Sequence, residues 1–118
     1  MSILNKIKNR VKKDDENNPE YREKFARRIS VKKIRYVSER VAGANGEIVD
    51  TILGKDGFFH ITETNELVIS CGGKELFKAY TPDLLAYEFL SLEGAVLDSF
   101  DLVEGRRRQI IAYYKYYR

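Results

Sequence analysis

The apolar side chains of the first thirteen residues recur at the spacing of an α-helix. They are Ile3, Leu4, Ile7 and Val11, and lysines and arginines occupy several of the positions between them. One narrow apolar stripe beside a cationic face is typical of a short amphipathic helix. We therefore expect a helix over residues 3–13. It either docks on the fold or on a partner chain, or lies on an anionic membrane surface.

A second helix is predicted where Pro19 follows a run of acidic and amide residues. Proline is favoured at the first helical position because its fixed φ angle already suits the helix. Tyr21, Phe25 and Ile29 then stand at positions i, i+4 and i+8, so one face of residues 20–29 is apolar. We expect residues 1–30 to form a helical N-terminal extension.

After Ser30 the period of the apolar residues changes from 3.6 to 2. Short runs rich in β-branched and aromatic residues alternate with turn residues such as Asn45-Gly46 and Gly72-Gly73, the pattern of an antiparallel meander. We predict six to eight strands, over residues 34–39, 48–53, 58–62, 67–71, 75–80, 87–92, 95–102 and 109–117, with turns at 54–57 and 63–66. The predicted fold class is mainly β (α+β). Residues 31–118 would form a small antiparallel barrel or bent sheet.

One succession of segments resembles a known family. It consists of residues 57–62 (GFFHIT), 67–70 (LVIS), 74–77 (KELF) and 83–85 (DLL), followed by a further β region. Over roughly residues 54–114 it resembles GRAM and bacterial PH-like domains, which implies a PH-like β-barrel acting as a binding or scaffolding module without chemistry of its own. Those barrels close with a C-terminal helix, whereas residues 113–118 (YYKYYR) are predicted to be strand. The N-terminal helices would then cap the open end.

Charge is divided by position along the 118 residues, whose net charge is +3. Residues 1–40 hold 13 Lys and Arg against 6 Asp and Glu, residues 41–105 hold 3 against 12, and residues 106–118 hold 5 against none. This division excludes a uniformly basic protein that coats nucleic acid. The basic ends either bind an external polyanion or neutralise the acidic middle within the chain.

Candidates for catalysis are few, because the chain has one His, one Cys and no Trp. His60 has no second histidine to work with, and Cys71 lies in an acidic segment that does not favour a thiolate. Asp98, Asp101 and Glu104 show no spacing of a matched catalytic pair, so we interpret them as solvated turn residues. The sequence therefore predicts no enzyme, no catalytic residue, no metal site and no cofactor, and it shows no small-molecule substrate.

The strongest binding candidate is the cationic turn that leads into the last predicted strand. Its residues are Arg106, Arg107, Arg108, Tyr114, Lys115 and Tyr116. Aromatic rings that stack on bases beside cations that contact phosphates are what single-stranded nucleic acid requires. The alternative is a final strand whose tyrosines pack against the core and against the N-terminal helix.

Taken together, these patterns predict a non-enzymatic interaction module that binds a protein partner or a second copy of itself. Single-stranded nucleic-acid binding through the arginine turn is one alternative. Peripheral association with an anionic membrane through residues 3–13 is another. The sequence starts without the apolar run of a secretory signal and contains no stretch of about 20 apolar residues. The expected location is therefore the cytoplasm.

Overall fold

The computed structural model describes residues 18–115, so the helix predicted over residues 3–13 and the candidate Tyr116 lie outside the described residues. Within these residues one α-helix precedes seven β-strands: α1 (Pro19–Ile29), β1 (Lys33–Ala42), β2 (Ile48–Ile61), β3 (Glu66–Cys71), β4 (Lys74–Tyr80), β5 (Leu85–Glu88), β6 (Gly94–Asp101) and β7 (Arg106–Tyr114). A single turn of 3-10 helix, Thr81–Asp83, joins β4 to β5. The fold is mainly β, as predicted.

Helix α1 forms where the sequence predicts it. The Oδ1 atom of Asn18 accepts a hydrogen bond from the Glu20 N–H, and Pro19 occupies the first turn, where it costs no hydrogen bond. Phe25 and Ile29 are buried together with Ala26. The apolar face of the helix therefore belongs to the same core as the sheet.

All seven strands form one antiparallel sheet in the order β4-β3-β2-β1-β7-β6-β5. The first and last strands are central neighbours, and they join a four-stranded meander to a three-stranded one. The sheet curls into a half-barrel whose concave face packs against α1. The largest fully buried side chains include Tyr114, Phe77, Ile34, Leu67, Leu97 and Ile110.

The curl brings the β4 edge of the sheet to the turn that follows β6. The Leu102 N–H donates to the Lys78 carbonyl over 2.7 Å. The Lys78 N–H in turn donates to Oδ1 of Asp101 over 2.9 Å. These bonds join β4 to the end of β6, from which it is separated by four strands in the pairing order. The half-barrel is therefore closed at this end.

The turn predicted at residues 54–57 is wrong, because β2 continues through it as one fourteen-residue strand. The glycines of this segment, Gly54 and Gly57, allow the backbone of β2 to pack closely against Cys71 and do not form a turn. A Cβ atom on Gly57 would lie 2.5 Å from the Cys71 Sγ and 2.7 Å from the Ser70 carbonyl oxygen. The strand also contains a bulge, since Val37 pairs with Gly54 and the next residue, Ser38, pairs with Ile52.

The contribution of α1 to the core can be measured with two aliphatic residues that lie close together in the sequence. Ile29 is fully buried, whereas Val31 is 81% exposed. Ile29→Ala should lower the free energy of unfolding by about 2–5 kcal/mol, because it removes buried methyl groups and leaves a cavity. Val31→Ala should change it by less than about 0.5 kcal/mol. Urea unfolding followed by circular dichroism measures both values, and equal losses would show that the helix is not part of the core.

Candidate functional site

The guanidinium of Arg108 lies inside the half-barrel, on the concave side of β7, with only 2% of its side chain exposed. Its NH1 atom donates to Oδ2 of Asp101 over 2.8 Å and to the Leu76 carbonyl over 2.9 Å. Its NH2 atom donates to Oε1 of Glu39 over 2.8 Å. One side chain on β7 therefore contacts β1, β4 and β6.

Asp101 is fully buried, which corrects its interpretation as a solvated turn residue. Besides Arg108, its carboxylate accepts hydrogen bonds from the backbone N–H groups of Lys78, Val103 and Glu104. Burial alone would raise the pKa of Asp101, but the guanidinium and the three N–H groups lower it below its usual range. The residue is thus an ionised cap on the turn after β6.

Glu39 is the second carboxylate that holds Arg108. The hydrogen bond from Arg108 lowers the pKa of Glu39 against the opposing effect of burial, and a second bond from Arg106 lowers it further. Both carboxylates of this network are therefore charged, and both are matched by a cation. A buried ion pair with these hydrogen bonds is costly to break, since removing one partner leaves the other charge buried.

The other two arginines of the predicted binding turn lie at the surface and also have carboxylate partners. Arg106 contacts Oε2 of Glu39 at 3.0 Å and Oε1 of Glu104 at 2.9 Å. The Nε atom of Arg107 lies 2.9 Å from Oδ1 of Asp98. Residues 106–108 belong to β7 and not to a turn as predicted, and all three arginines are paired within the chain.

The tyrosine and lysine candidates lie at the opposite end of β7 from these arginines. Tyr114 is buried, and its hydroxyl donates to Oε2 of Glu88 over 2.8 Å. Burial raises the pKa of Tyr114, and the Glu88 contact raises it further. Lys115 is exposed, with its Nζ atom 3.5 Å from Oδ1 of Asp56. The described candidates therefore do not meet on one surface.

A cleft opens where β1 and β7 separate. Their pairing ends at Glu39 and Ile110, and beyond these residues the two strands diverge around a space of about 490 Å³. Its lining residues are Glu39, Arg40, Val41, Ala42, Asp98, Arg106, Arg107, Arg108 and Gln109. Arg40 is also paired, since its Nε atom lies 3.0 Å from Oδ1 of Asp50. The charges of this cleft are largely neutralised by pairs within the chain.

Beyond the cleft, β1 and β2 continue as a two-stranded ribbon. Strand β3 pairs with β2 over residues 57–61, so within residues 18–115 the segment 48–56 has β1 as its only strand neighbour. The exposed apolar side chains of the ribbon are Val41 at 40%, Ile48 at 68%, Val49 at 40% and Ile52 at 56%. This ribbon edge was not predicted as a site, because the predicted turn at residues 54–57 cut the strand short.

His60 and Cys71 lie in neighbouring strands without a catalytic arrangement around them. His60 is exposed on β2 opposite Val68, and Cys71 is a buried free thiol at the end of β3. Burial raises the pKa of Cys71, and the charge of Asp56 adds to this effect. Within residues 18–115, no group of three His, Cys, Asp or Glu side chains could hold a metal ion. In the same part of the chain, no helix is long and apolar enough to cross a membrane.

The Arg108 network predicts a large loss of stability in Arg108→Met. This change leaves Glu39 and Asp101 buried without their shared cation, so the free energy of unfolding should fall by about 3–5 kcal/mol. Arg107→Met removes only an exposed pair and should cost less than about 1 kcal/mol. Urea unfolding at neutral pH measures both variants. A small effect of Arg108→Met would show that the network is not what closes the half-barrel.

The same network predicts how stability depends on pH. Because folding lowers the pKa of Glu39 and Asp101, their contribution is present above the ordinary carboxyl pKa values of 4.5 and 3.8. It is lost as the pH falls through the lower values of the folded state. The acid-induced loss should be smaller in Arg108→Met, whose carboxylates no longer have the guanidinium to favour the charged form. Unfolding curves at pH 7, 4 and 3 test this, and identical acid dependence in both proteins would contradict it.

No protein-family model matches this chain, and no curated protein matches it at a significant level. The proposal of function therefore rests on the residues and contacts described above.

Proposed function

We propose that this chain is a non-enzymatic interaction module that binds an extended segment of a protein partner along the free edge of β2. The observation that supports this is the edge itself, residues 48–56, which in the described part of the chain has a strand neighbour on one side only. A strand edge presents unpaired backbone N–H and C=O groups, and an added peptide strand satisfies them.

The side chains along this edge favour a polypeptide over other ligands. Ile48 and Ile52 lie on one face of the ribbon, opposite Ala42 and Ser38, and Val49 lies on the other face. An added strand would gain backbone hydrogen bonds of about 0.5–1.5 kcal/mol each and would bury these aliphatic groups. Aliphatic side chains offer no stacking surface to a base, so they favour an apolar strand as the occupant.

The fold that presents this edge is, in our proposal, a variant of the PH-like barrel. Its support is the succession of strands that resembles that family, in one curled antiparallel sheet. The helix on the open side of the sheet comes from the N-terminal part of the chain, since α1 precedes β1. The proposed location is the cytoplasm, as the sequence predicts.

The pairing of the arginines is what makes nucleic-acid binding the weaker alternative. Arg108 is buried, and Arg106 and Arg107 each contact a carboxylate within the chain. A phosphate would have to displace these carboxylates before it could form its own contacts. The acidic side chains of the same turn would also repel it.

A peptide copy of the edge tests the proposed function. A fluorescein-labelled peptide with the sequence of residues 47–57 should bind the full chain with a dissociation constant in the micromolar range, measured by fluorescence anisotropy. The same peptide with N-methyl groups on alternate residues should not bind, since it lacks the backbone donors. Ile52→Lys in the protein should weaken binding about tenfold, because it removes an apolar contact of the edge. Val31→Lys, a change at another exposed aliphatic residue, should not.

Binding that survives N-methylation, or that is equally weakened by Val31→Lys, would contradict strand addition at this edge. The absence of any peptide complex at millimolar concentration would also contradict it.

A second measurement separates this function from nucleic-acid binding. Mixed single-stranded DNA should bind with a dissociation constant on the order of 0.1 mM or weaker at physiological salt. Arg106→Ala and Arg107→Ala should leave that constant unchanged, because neither guanidinium is free. A micromolar complex that weakens with salt and is abolished by these changes would replace the protein-binding proposal.

A further inference from the structure

We propose that the strand added at this edge is the same edge of a second copy, so that the chain forms a two-fold dimer with its β2 edges paired antiparallel. This inference rests on the proposed function and names the partner of the same site. The argument comes from the bulge in β2, from the charges on either side of it and from the length of the free edge.

The bulge places two opposite charges on one face of β2. Asp50 pairs with Arg40 and Lys55 pairs with Tyr36 in β1. Arg40 and Tyr36 are four residues apart in a strand, so their side chains lie on the same face. Asp50 and Lys55 are five residues apart and would lie on opposite faces of a regular strand. Because the bulge inserts one extra residue, Leu53, the side chains of Asp50 and Lys55 lie on the same face of β2.

This arrangement makes the edge complementary to itself. In an antiparallel pairing whose two-fold axis passes between Ile52 and Leu53, Asp50 of each copy lies opposite Lys55 of the other. Thr51 then lies opposite Gly54, and both of these residues are on the concave face, across from Glu39 and Val37 of their own chain. The faces of the two copies therefore match across the interface.

Neighbouring registers lose this complementarity. A shift of one residue in one direction places Asp50 opposite Gly54, where it has no charged partner. A shift in the other direction places Asp50 opposite Asp56, and like charges directly across a strand pair are destabilising. One register is therefore selected by charge alone.

The length of the free edge fits the same register. Val49 of one copy lies opposite Asp56 of the other, at the two ends of the paired segment. Immediately beyond Asp56, β3 occupies the edge from Gly57 onwards. In this register Ile48 of the other copy would lie opposite Gly57, where Cys71 of β3 already occupies the edge. The paired segment is therefore limited to residues 49–56 of each copy, and the partner's hairpin over residues 42–48 has to bend away from the sheet.

Asp50 keeps its contact with Arg40 in this dimer. That contact uses both carboxylate oxygens, at 3.0 and 3.2 Å, and a carboxylate has room to accept from Lys55 as well. The interface is a single pair of strands with Ile52 and Leu53 at its centre. Its area is below that of standard interfaces, so the expected dissociation constant is micromolar, about 1–100 µM.

A charge-reversal experiment on the full chain tests the pairing. In sedimentation velocity, the wild-type chain should shift from monomer to dimer as its concentration rises through the micromolar range. Lys55→Asp and Asp50→Lys should each raise the dissociation constant about tenfold or more, because each places like charges opposite one another twice. An equimolar mixture of the two variants should dimerise again, since every opposed pair is then of opposite sign. Lys24→Asp, a change at an exposed lysine on α1, should leave the constant unchanged.

The outcomes distinguish this inference from the function on which it rests. If the wild-type chain stays monomeric at high concentration but binds the edge peptide, the second copy is the wrong partner, and the edge serves another protein. If a dimer forms but neither charge reversal weakens it and mixing has no effect, the copies meet elsewhere and the inference is overturned. If the peptide also fails to bind, both proposals fail. Circular dichroism of each variant verifies that it is folded.

Discussion

A single buried cation links strands that are far apart in the pairing order of the sheet. Arg108 lies on β7, and its guanidinium contacts Glu39 of β1, the Leu76 carbonyl of β4 and Asp101 of β6. Strands β4 and β6 are separated by four others in the sheet, so their approach depends on the curl. The curl in turn encloses the core that α1 completes. Charge, hydrogen bonding and apolar burial therefore converge on one end of the half-barrel.

The same network determines which surfaces are free to interact. Arg108 is buried in this network and Arg106 contacts two of its carboxylates, so the three arginines at the start of β7 do not form a free cationic surface. The network also fixes the base of the ribbon, because Glu39 is the last residue of β1 that pairs with β7. Beyond that point β1 and β2 leave the sheet together. A rigid base and an exposed edge are the combination that a strand-binding surface requires.

The sequence predicts the elements whose signals are local. The stripe of Tyr21, Phe25 and Ile29 locates the helix, and the period-2 runs with their glycine turns locate most of the strands. It does not predict the length of β2, because glycines selected for close packing against Cys71 look the same as glycines selected for turns. Nor does it predict the burial of Arg108, whose partner Glu39 is 69 residues away. An ion pair between residues so far apart produces no periodic pattern in the sequence from which it could be predicted.

The adjacency of β1 and β7 has a consequence for how the chain folds during synthesis. Among the strands of residues 18–115, β1 is synthesised first and its central partner β7 last, so the four strands of the first meander emerge well before this sheet can be completed. Until then β1 has an open edge on one side, and the concave apolar residues of the first meander are covered only in part. Loops that close across most of a chain form slowly, and partly folded chains of this kind aggregate more readily. Pairing across the middle of the sheet therefore waits until β7 has been synthesised, and until then the open edge of β1 is available for pairing with other chains.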